Sequence, residues 1–256
     1  MVTLSVVMPV FNEEKTVGTV IRRILSDVPY DLELIVVDDG STDGTAAITD
    51  AFTSQDSRVQ VVHQSNAGKA GALKRGFERS RGEVVIIQDG DLEYDPAEIT
   101  HVVEPILQGR ADVTYGSRFM VRRAARVLYF YHYLANRFLT MLSNVLTNLN
   151  MTDIETGYKA FRGDIIRNMI IVSKGFGIEI EITAKVAKLD DAIIYEVPIS
   201  YYGRTYEEGK KIGFWDGVFA LWYILRFNLF CGLNRSFRVI PKPHAIAHDF
   251  SKRSAH

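Results

Sequence analysis

The sequence predicts an α/β protein: a doubly wound, mostly parallel sheet flanked by helices, followed by C-terminal amphipathic helices. Three observations carry that prediction. Short, nearly continuous β-branched runs recur through the first half, segments of helical period separate them, and acids gather just beyond three of the four runs. Strands buried on both faces of a parallel sheet read as unbroken apolar runs. Strand and helix in alternation give the rhythm of such a sheet.

The first run is "LSVVMPV" (4–10) and the second "LELIVVDD" (32–39). Between them, Val17, Val20, Ile21, Ile24 and Leu25 fall at helical spacing. Asn12 is the expected N-cap of that helix, with Glu13 and Glu14 in its first turn, where the helix dipole favours acids. A second helix follows "DDGSTDGT", the third run is "VQVVH" (59–63), and a third helix is expected from about Ala70 to Arg79. "VVIIQD" (84–89) is the fourth run. Beyond it, "DVTYGSR" (112–118) predicts a strand, 119–152 a helical stretch, and "EIEITAKVAKLD" (179–190) a helix. "AIIYEVPISYY" (192–202) reads as a strand that Pro198 puts near the sheet edge. Residues 1–230 are expected to form one domain and 231–256 a basic, flexible tail.

Composition narrows the function classes. The 256 residues are 47% apolar and 24% charged, which suits a globular chain with a sizeable core. A net charge of −1 excludes a generally basic, nucleic-acid-coating protein, and no nucleic-acid partner is expected. A lone cysteine, Cys231, forms no internal disulfide and fits a reducing, cytoplasmic setting. The N-terminus carries no basic leader followed by a long apolar stretch, so no secretory signal is expected. The apolar segment 214–230 includes Asp216 and Arg226 and falls short of the roughly 20 residues that span a bilayer.

In open α/β sheets, ligands bind outside the carboxyl ends of the strands. Here those ends are "PVFNEE", "VVDDGSTDGT", "HQSNAGKAG" and "QDGDLEYDP". Carboxylates crowded along one rim make sense around a cation, sugar hydroxyls or a base edge. Asp89 and Asp91 project to one side of an extended segment, and Gly90 between them lets another group approach the backbone. A lone D-x-D is common by chance and is usually a loop cap; the strand before it and the acidic loops beside it reverse those odds. Two such carboxylates suit a hard divalent ion that also takes phosphate oxygens, Mg²⁺ or Mn²⁺. "NAGKAG" is not a P-loop, because His63 and Ala70 stand where the Walker pattern needs Gly and Ser or Thr. Gly68 and Gly71 read instead as a tight turn, with Lys69 either in solvent, the favoured reading, or near a phosphate.

Taken in order, "SVVMPVFNEE", "ELIVVDDGSTDGT", "NAGKAGALKRGF", "GEVVIIQDGDLEYDP" and "GSR" resemble the successive motifs of family 2 inverting glycosyltransferases of the GT-A fold. "DIETGYKAFRGDII" and "EVPISYYGRTYEEGKKI" are similar to the polyprenyl-phosphate sugar transferases, the dolichol-phosphate mannose synthase group. The resemblance covers residues 3 to about 230. It implies a nucleotide-sugar donor, GDP-mannose or UDP-glucose, and a polyprenyl or dolichyl phosphate acceptor. Pro9, Phe11, Glu13, Val37 and Asp39 would line the nucleotide, together with Asp89, Gly90 and Asp91. Asp89 and Asp91 would hold Mg²⁺ or Mn²⁺, with Glu93, where relatives often carry Gln, as a further ligand. Arg118, Arg204 and Lys210 would supply positive charge to the phosphates, and Asp153 matches the acid before "TGYKAF". A phosphate acceptor is already anionic and needs orientation. A hydroxyl acceptor, soluble or protein-linked, needs a base, for which Asp153 is the candidate.

Residues 118–152 hold Arg118, Arg122, Arg123, Arg126 and Arg137 among many aromatics, with no Asp or Glu. A cationic, aromatic amphipathic stretch is what lies in a membrane interface; the bland alternative is an aromatic core helix with a solvated basic face. Residues from 203 onward carry nine Lys or Arg against four acids, a balance of +5, which favours anionic lipid. A peripheral membrane contact is therefore expected. Two rival classes are weaker. Nucleotidyl transfer needs a glycine-rich basic loop near the N-terminus, and no glycine precedes Gly18. A non-catalytic partner would have no use for the intact D-x-D and the paired Asp38 and Asp39.

Overall fold

The computed structural model describes residues 2–120, 129–175, 177–203 and 214–242. The first half follows the expected rhythm: β1 (Leu4–Val10), α1 (Val17–Asp27), β2 (Leu32–Asp38), α2 (Thr45–Gln55), β3 (Val59–His63), α3 (Gly68–Arg79) and β4 (Val84–Ile87). Then come α4 (Ile99–Leu107), β5 (Val113–Ser117), α5 (Phe130–Thr147), β6 (Lys159–Arg162), α6 (Gly163–Asn168), α7 (Gly177–Val186), β7 (Ile194–Pro198) and α8 (Phe214–Leu229). The described strands form one sheet in the order β3-β2-β1-β4-β6-β5-β7.

The first four strands pair in parallel, so their carboxyl ends share one edge. Alternate residues point to opposite faces of a strand, and the core divides accordingly. Val6, Met8 and Leu34 pack with Val20, Ile21 and Ile24 of α1, while Val7, Ile35 and Val37 pack with Leu73 and Phe77 of α3. β7 lies at the sheet margin and ends at Pro198, as the proline predicts.

The departure from parallel pairing decides the site. β6 runs antiparallel between β4 and β5, with Ala160 opposite Ile86. The segment entering β6, "DIETGY", therefore arrives at the carboxyl end of β4, beside "QDGD".

Two local expectations are corrected. Asn12 does not cap α1: it adopts φ 56° and turns its side chain to the β2–α2 loop, where Oδ1 accepts from the Thr42 amide at 2.8 Å. The helix starts five residues later, so Glu13 and Glu14 lie in the loop before it, not in its first turn. In the segment beginning at 231, residues 236–238 are held against the turn after α6. Phe237 is buried, Ser236 O accepts from the Ile170 amide, and the Arg238 amide donates to Asn168 O.

Gly76 lets α3 settle on the sheet, since a Cβ there would overlap a Val7 methyl. Its position fixes where the N-terminus of α3 meets the carboxyl edge. Gly76→Val is expected to cost about 1–3 kcal/mol, as overpacking does. Urea denaturation measures it, and an unchanged midpoint would show that α3 tolerates displacement.

Candidate active site

Four loops at the carboxyl edge are laced together. The Asn12 amide donates to Ser41 Oγ, the Glu13 amide to Thr45 Oγ1, and Glu14 Oε2 accepts from the Gly44 amide. These bonds join the β1–α1 and β2–α2 loops. Thr16 Oγ1 donates to Gly90 O at 2.9 Å, which ties in the loop after β4. Asp39, buried at the end of β2, takes Gln64 Nε2 and the Ala67 amide on Oδ1 and the Gly68 amide on Oδ2. Asp39 therefore organises the β3–α3 loop with three of its roughly four acceptor positions. Pro9 and Val37 are buried opposite each other in β1 and β2, and Phe11 stands exposed just beyond.

Lys69, in the first turn of α3, is not in solvent. Its Nζ lies 2.9 Å from Asp89 Oδ1 and 3.2 Å from Glu179 Oε1, and its side chain is only 18% exposed. Burial opposes its charge, but the Asp89 and Glu179 carboxylates outweigh burial and raise its pKa above the ordinary lysine value. The other oxygen of Glu179 is paired with Lys159, which is fully buried and also donates to Ile154 O and Thr156 O. The loop after β4 has no spare room. A Cβ on Gly90 would fall 2.6 Å from Val10 Cγ1, and one on Gly157 would fall 2.7 Å from Asp89 Oδ2. Asp91 Oδ1 accepts from the Glu93 amide, and Glu93 Oε2 from the Tyr201 hydroxyl. No group of three or more His, Cys, Asp or Glu converges on a cation position among the described residues. Asp89 and Asp91 nonetheless fit Mg²⁺ or Mn²⁺ in chemistry, as hard oxygens that leave coordination places for a substrate's phosphates.

Arg118 and Asp153 face each other through two charge-assisted hydrogen bonds, Nε to Oδ2 at 2.7 Å and Nη2 to Oδ1 at 2.8 Å. Asn136 on α5 adds a bond to Oδ1, and Asp153 is fully buried. Burial disfavours its charge, yet the Arg118 guanidinium outweighs burial and holds the carboxyl below the usual range. Glu196 of β7 pins the turn by accepting from the Thr152 and Asp153 amides. The guanidinium of Arg118 also lies 5.1 Å from the Tyr201 ring centre. Both oxygens of Asp153, the base candidate for a hydroxyl acceptor, are thus engaged by Arg118.

The sequence reading missed several residues that the fold delivers here. Glu179 and Lys159 stand in apolar surroundings, and the buried polar letters of "GIEIEITAKV" and "YKAF" were the only signal. Glu155, between Asp153 and Gly157, has a buried Oε1 without a hydrogen-bond partner. Burial, against Lys159 and Arg118 but helped by Glu179 and Asp153, pushes its pKa up to about 7. Arg204 and Lys210 lie outside the described residues, as do Arg122, Arg123 and Arg126.

Comparison with known proteins places this edge in a family. The model of "Glycosyl transferase family 2" matches residues 5–169, which contain all four laced loops and the Arg118–Asp153 pair. The chain belongs to that family. Among its relatives is an undecaprenyl-phosphate mannosyltransferase of Micrococcus luteus, 31% identical over 219 residues, 81% of this chain and 86% of that one. Another is a polyprenol monophosphomannose synthase of Mycolicibacterium smegmatis, 29% identical over 216 residues, 81% of this chain and 80% of the relative. The fold is GT-A. It superposes on glucosyl-3-phosphoglycerate synthase from Mycobacterium tuberculosis, solved with Mn²⁺, UDP and glucosyl-3-phosphoglycerate. The TM-score is 0.67 at 23% identity, over 88% of this chain and 80% of that one.

The raised pKa of Glu155 makes a stability prediction. The folded protein retains a proton that the unfolded chain releases near the ordinary value of 4.5, so this group lowers stability as pH rises from there to about 7 and leaves it lowered above. Glu155→Gln is therefore expected to raise Tm at pH 8 by at least about 2 °C, with the gain vanishing near pH 4. Thermal unfolding at both pH values checks it; an equal effect at both would mean that the carboxyl titrates normally.

Proposed function

We propose that this family 2 glycosyltransferase transfers a hexose, with inversion, from GDP-mannose or UDP-glucose to a polyprenyl phosphate at a membrane surface. Its relatives are named for undecaprenyl-phosphate and polyprenol substrates. The observation that carries the reading for this chain is the two-sidedness of α5. On one face, Asn136 bonds Asp153, and Thr140 Oγ1 bonds Asn136 and meets the Ile154 amide. On the other, Tyr131, Leu134, Phe138, Met141 and Val145 stand in the open, Tyr131 81% and Val145 74% exposed. Their spacing of three, four, three and four residues makes one continuous stripe. α8, packed against α5, exposes Phe219, Trp222 and Leu229 as well. Exposed apolar area on this scale marks an interaction surface. A lipid phosphate is the acceptor that needs an apolar surface on one side of a helix and an arginine on the other. No helix among the described residues is long and apolar enough to cross a membrane; the proposed contact is interfacial.

Pro9, Phe11, Glu13, Val37 and Asp39 would receive the nucleotide, Asp39 partly through the loop that it holds. Asp89 and Asp91 would hold Mg²⁺ or Mn²⁺, which stabilises the negative charge that grows on the departing diphosphate. Lys69 adds a fixed positive charge beside them. Arg118, held in one orientation by Asp153 and Tyr201, would orient the acceptor phosphate opposite the leaving group. Because that phosphate is already an anion, no proton need be removed, in keeping with Asp153 being committed to Arg118. A hydroxyl acceptor would require Asp153 to leave its arginine buried and unpaired.

The deciding experiment offers a panel of nucleotide-sugars with a short-chain polyprenyl phosphate and Mg²⁺ or Mn²⁺. Asp91→Ala is expected to abolish transfer with the far-UV circular dichroism spectrum unchanged; near-normal turnover of this variant in the presence of a chelator would remove the D-x-D from the mechanism.

For the apolar face, the paired substitution Tyr131→Glu and Phe138→Glu is expected to weaken flotation with anionic liposomes at least tenfold and to raise KM for lipid phosphate. Hydrolysis of the nucleotide-sugar donor should stay within twofold. Parental flotation and KM in the double variant would instead favour a soluble acceptor.

A further inference from the structure

The partners of Lys69 go beyond fixed support of the site. Its ammonium contacts both oxygens of Asp89, at 2.9 and 3.1 Å, and is shared with Glu179 at 3.2 Å. Its backbone is held in place. Asp39, through the Ala67 and Gly68 amides, fixes the residues immediately before it, and Gly157 leaves room for the pair, since a Cβ there would fall 2.7 Å from Asp89 Oδ2 and 3.3 Å from Lys69 Nζ. The carboxylate best placed to bind a divalent ion is therefore already engaged by a monovalent one belonging to the protein.

We infer that Lys69 is a built-in counter-cation for Asp89 that makes divalent-ion binding conditional on the donor's diphosphate. The inference rests on the nucleotide-sugar reading above and goes beyond it, from which groups bind to the order in which they do so. An ion approaching Asp89 alone meets an ammonium within hydrogen-bond distance of both carboxylate oxygens, and like charges at that range disfavour each other. A diphosphate changes the balance, because its oxygens give Lys69 another anionic partner and supply ligands that two aspartates lack. As Lys69 turns toward the diphosphate, Asp89 is released to the ion. Ion and nucleotide then bind with positive coupling, and linkage requires that each tighten the other by the same factor. Once the diphosphate departs, Lys69 returns to Asp89 and the ion is released with it.

Titration calorimetry with Mn²⁺, in the absence and presence of saturating GDP or UDP, tests this on the full chain. The parent is expected to bind Mn²⁺ weakly alone and far more tightly with the matching nucleotide. Lys69→Met, which keeps the length and removes the charge, should bind Mn²⁺ alone at least tenfold more tightly than the parent. Its coupling factor should shrink at least tenfold. Lys69→Arg, which keeps a cation, should retain the weak binding of the parent. Mn²⁺ affinity in Lys69→Met that is unchanged, or lower because the loop has lost its order, overturns the inference while leaving the donor reading intact. A parent that binds nucleotide but shows no Mn²⁺ binding even then overturns the inference and the metal role together, and one that binds neither GDP nor UDP removes the nucleotide-sugar reading as well.

Discussion

Asp89, Lys69, Glu179 and Lys159 form a line of alternating charges beneath the carboxyl edge of the sheet. Charges removed from water are costly unless each finds an opposite neighbour and further hydrogen bonds. Here each interior member serves two partners. Glu179 divides its two oxygens between lysines from different elements, and Lys159 spends its remaining donors on carbonyls of the Asp153–Gly157 segment. α7, which carries Glu179, is buried along its whole length, so the line is anchored in the core. The line joins the loop after β4 to the first turn of α3 and to α7. Deleting an interior member would take one partner from each of its neighbours.

Much of the fold was legible because parallel strands announce themselves. The β-branched runs of β1, β2 and β4 and the helical spacing of Val17, Val20, Ile21 and Ile24 depend on local periodicity, and all appear where the pattern puts them. The carboxylates at the strand ends were equally readable, since residues after parallel neighbouring strands necessarily gather. Partner choice was not readable. Lys69 looked solvated because its nearest sequence neighbours are small and offer it no charge; its carboxylates come from residues 20 and 110 positions away. Asp153 had the right position for a base, and only the antiparallel entry of β6 shows that it faces Arg118. Asn12 has the composition of a cap, but the pull of the β2–α2 loop on its side chain and backbone outweighs the local preference. Glu155 gave no signal at all, because its interest lies in one buried oxygen left without a hydrogen-bond partner among the described residues.

The site and the exposed apolar surface are two sides of one object. α5 meets Asp153 through Asn136 and meets the exterior through Tyr131, Phe138 and Val145. Displacement of this helix would move the partner of Arg118. A lipid surface engaged by the outer stripe would thus bear directly on the arginine proposed to receive the acceptor phosphate, with Tyr201 and Glu196 limiting how far that arginine can swing. Affinity for a surface and orientation of a headgroup become one mechanical property.

The return of the chain after α8 has a consequence of its own. Beyond Leu229 the backbone does not trail away: Ser236 and Arg238 bond back to Ile170 and Asn168, and Phe237 is seated beside Met169. These three neighbours close α6 and open the segment toward α7, the helix carrying Glu179. α8 is thereby fastened at its far end like a strap drawn through a buckle, and it presents its aromatic side chains as part of a stiff wall. The turns from 231 to 238 are part of the chassis of the carboxyl edge.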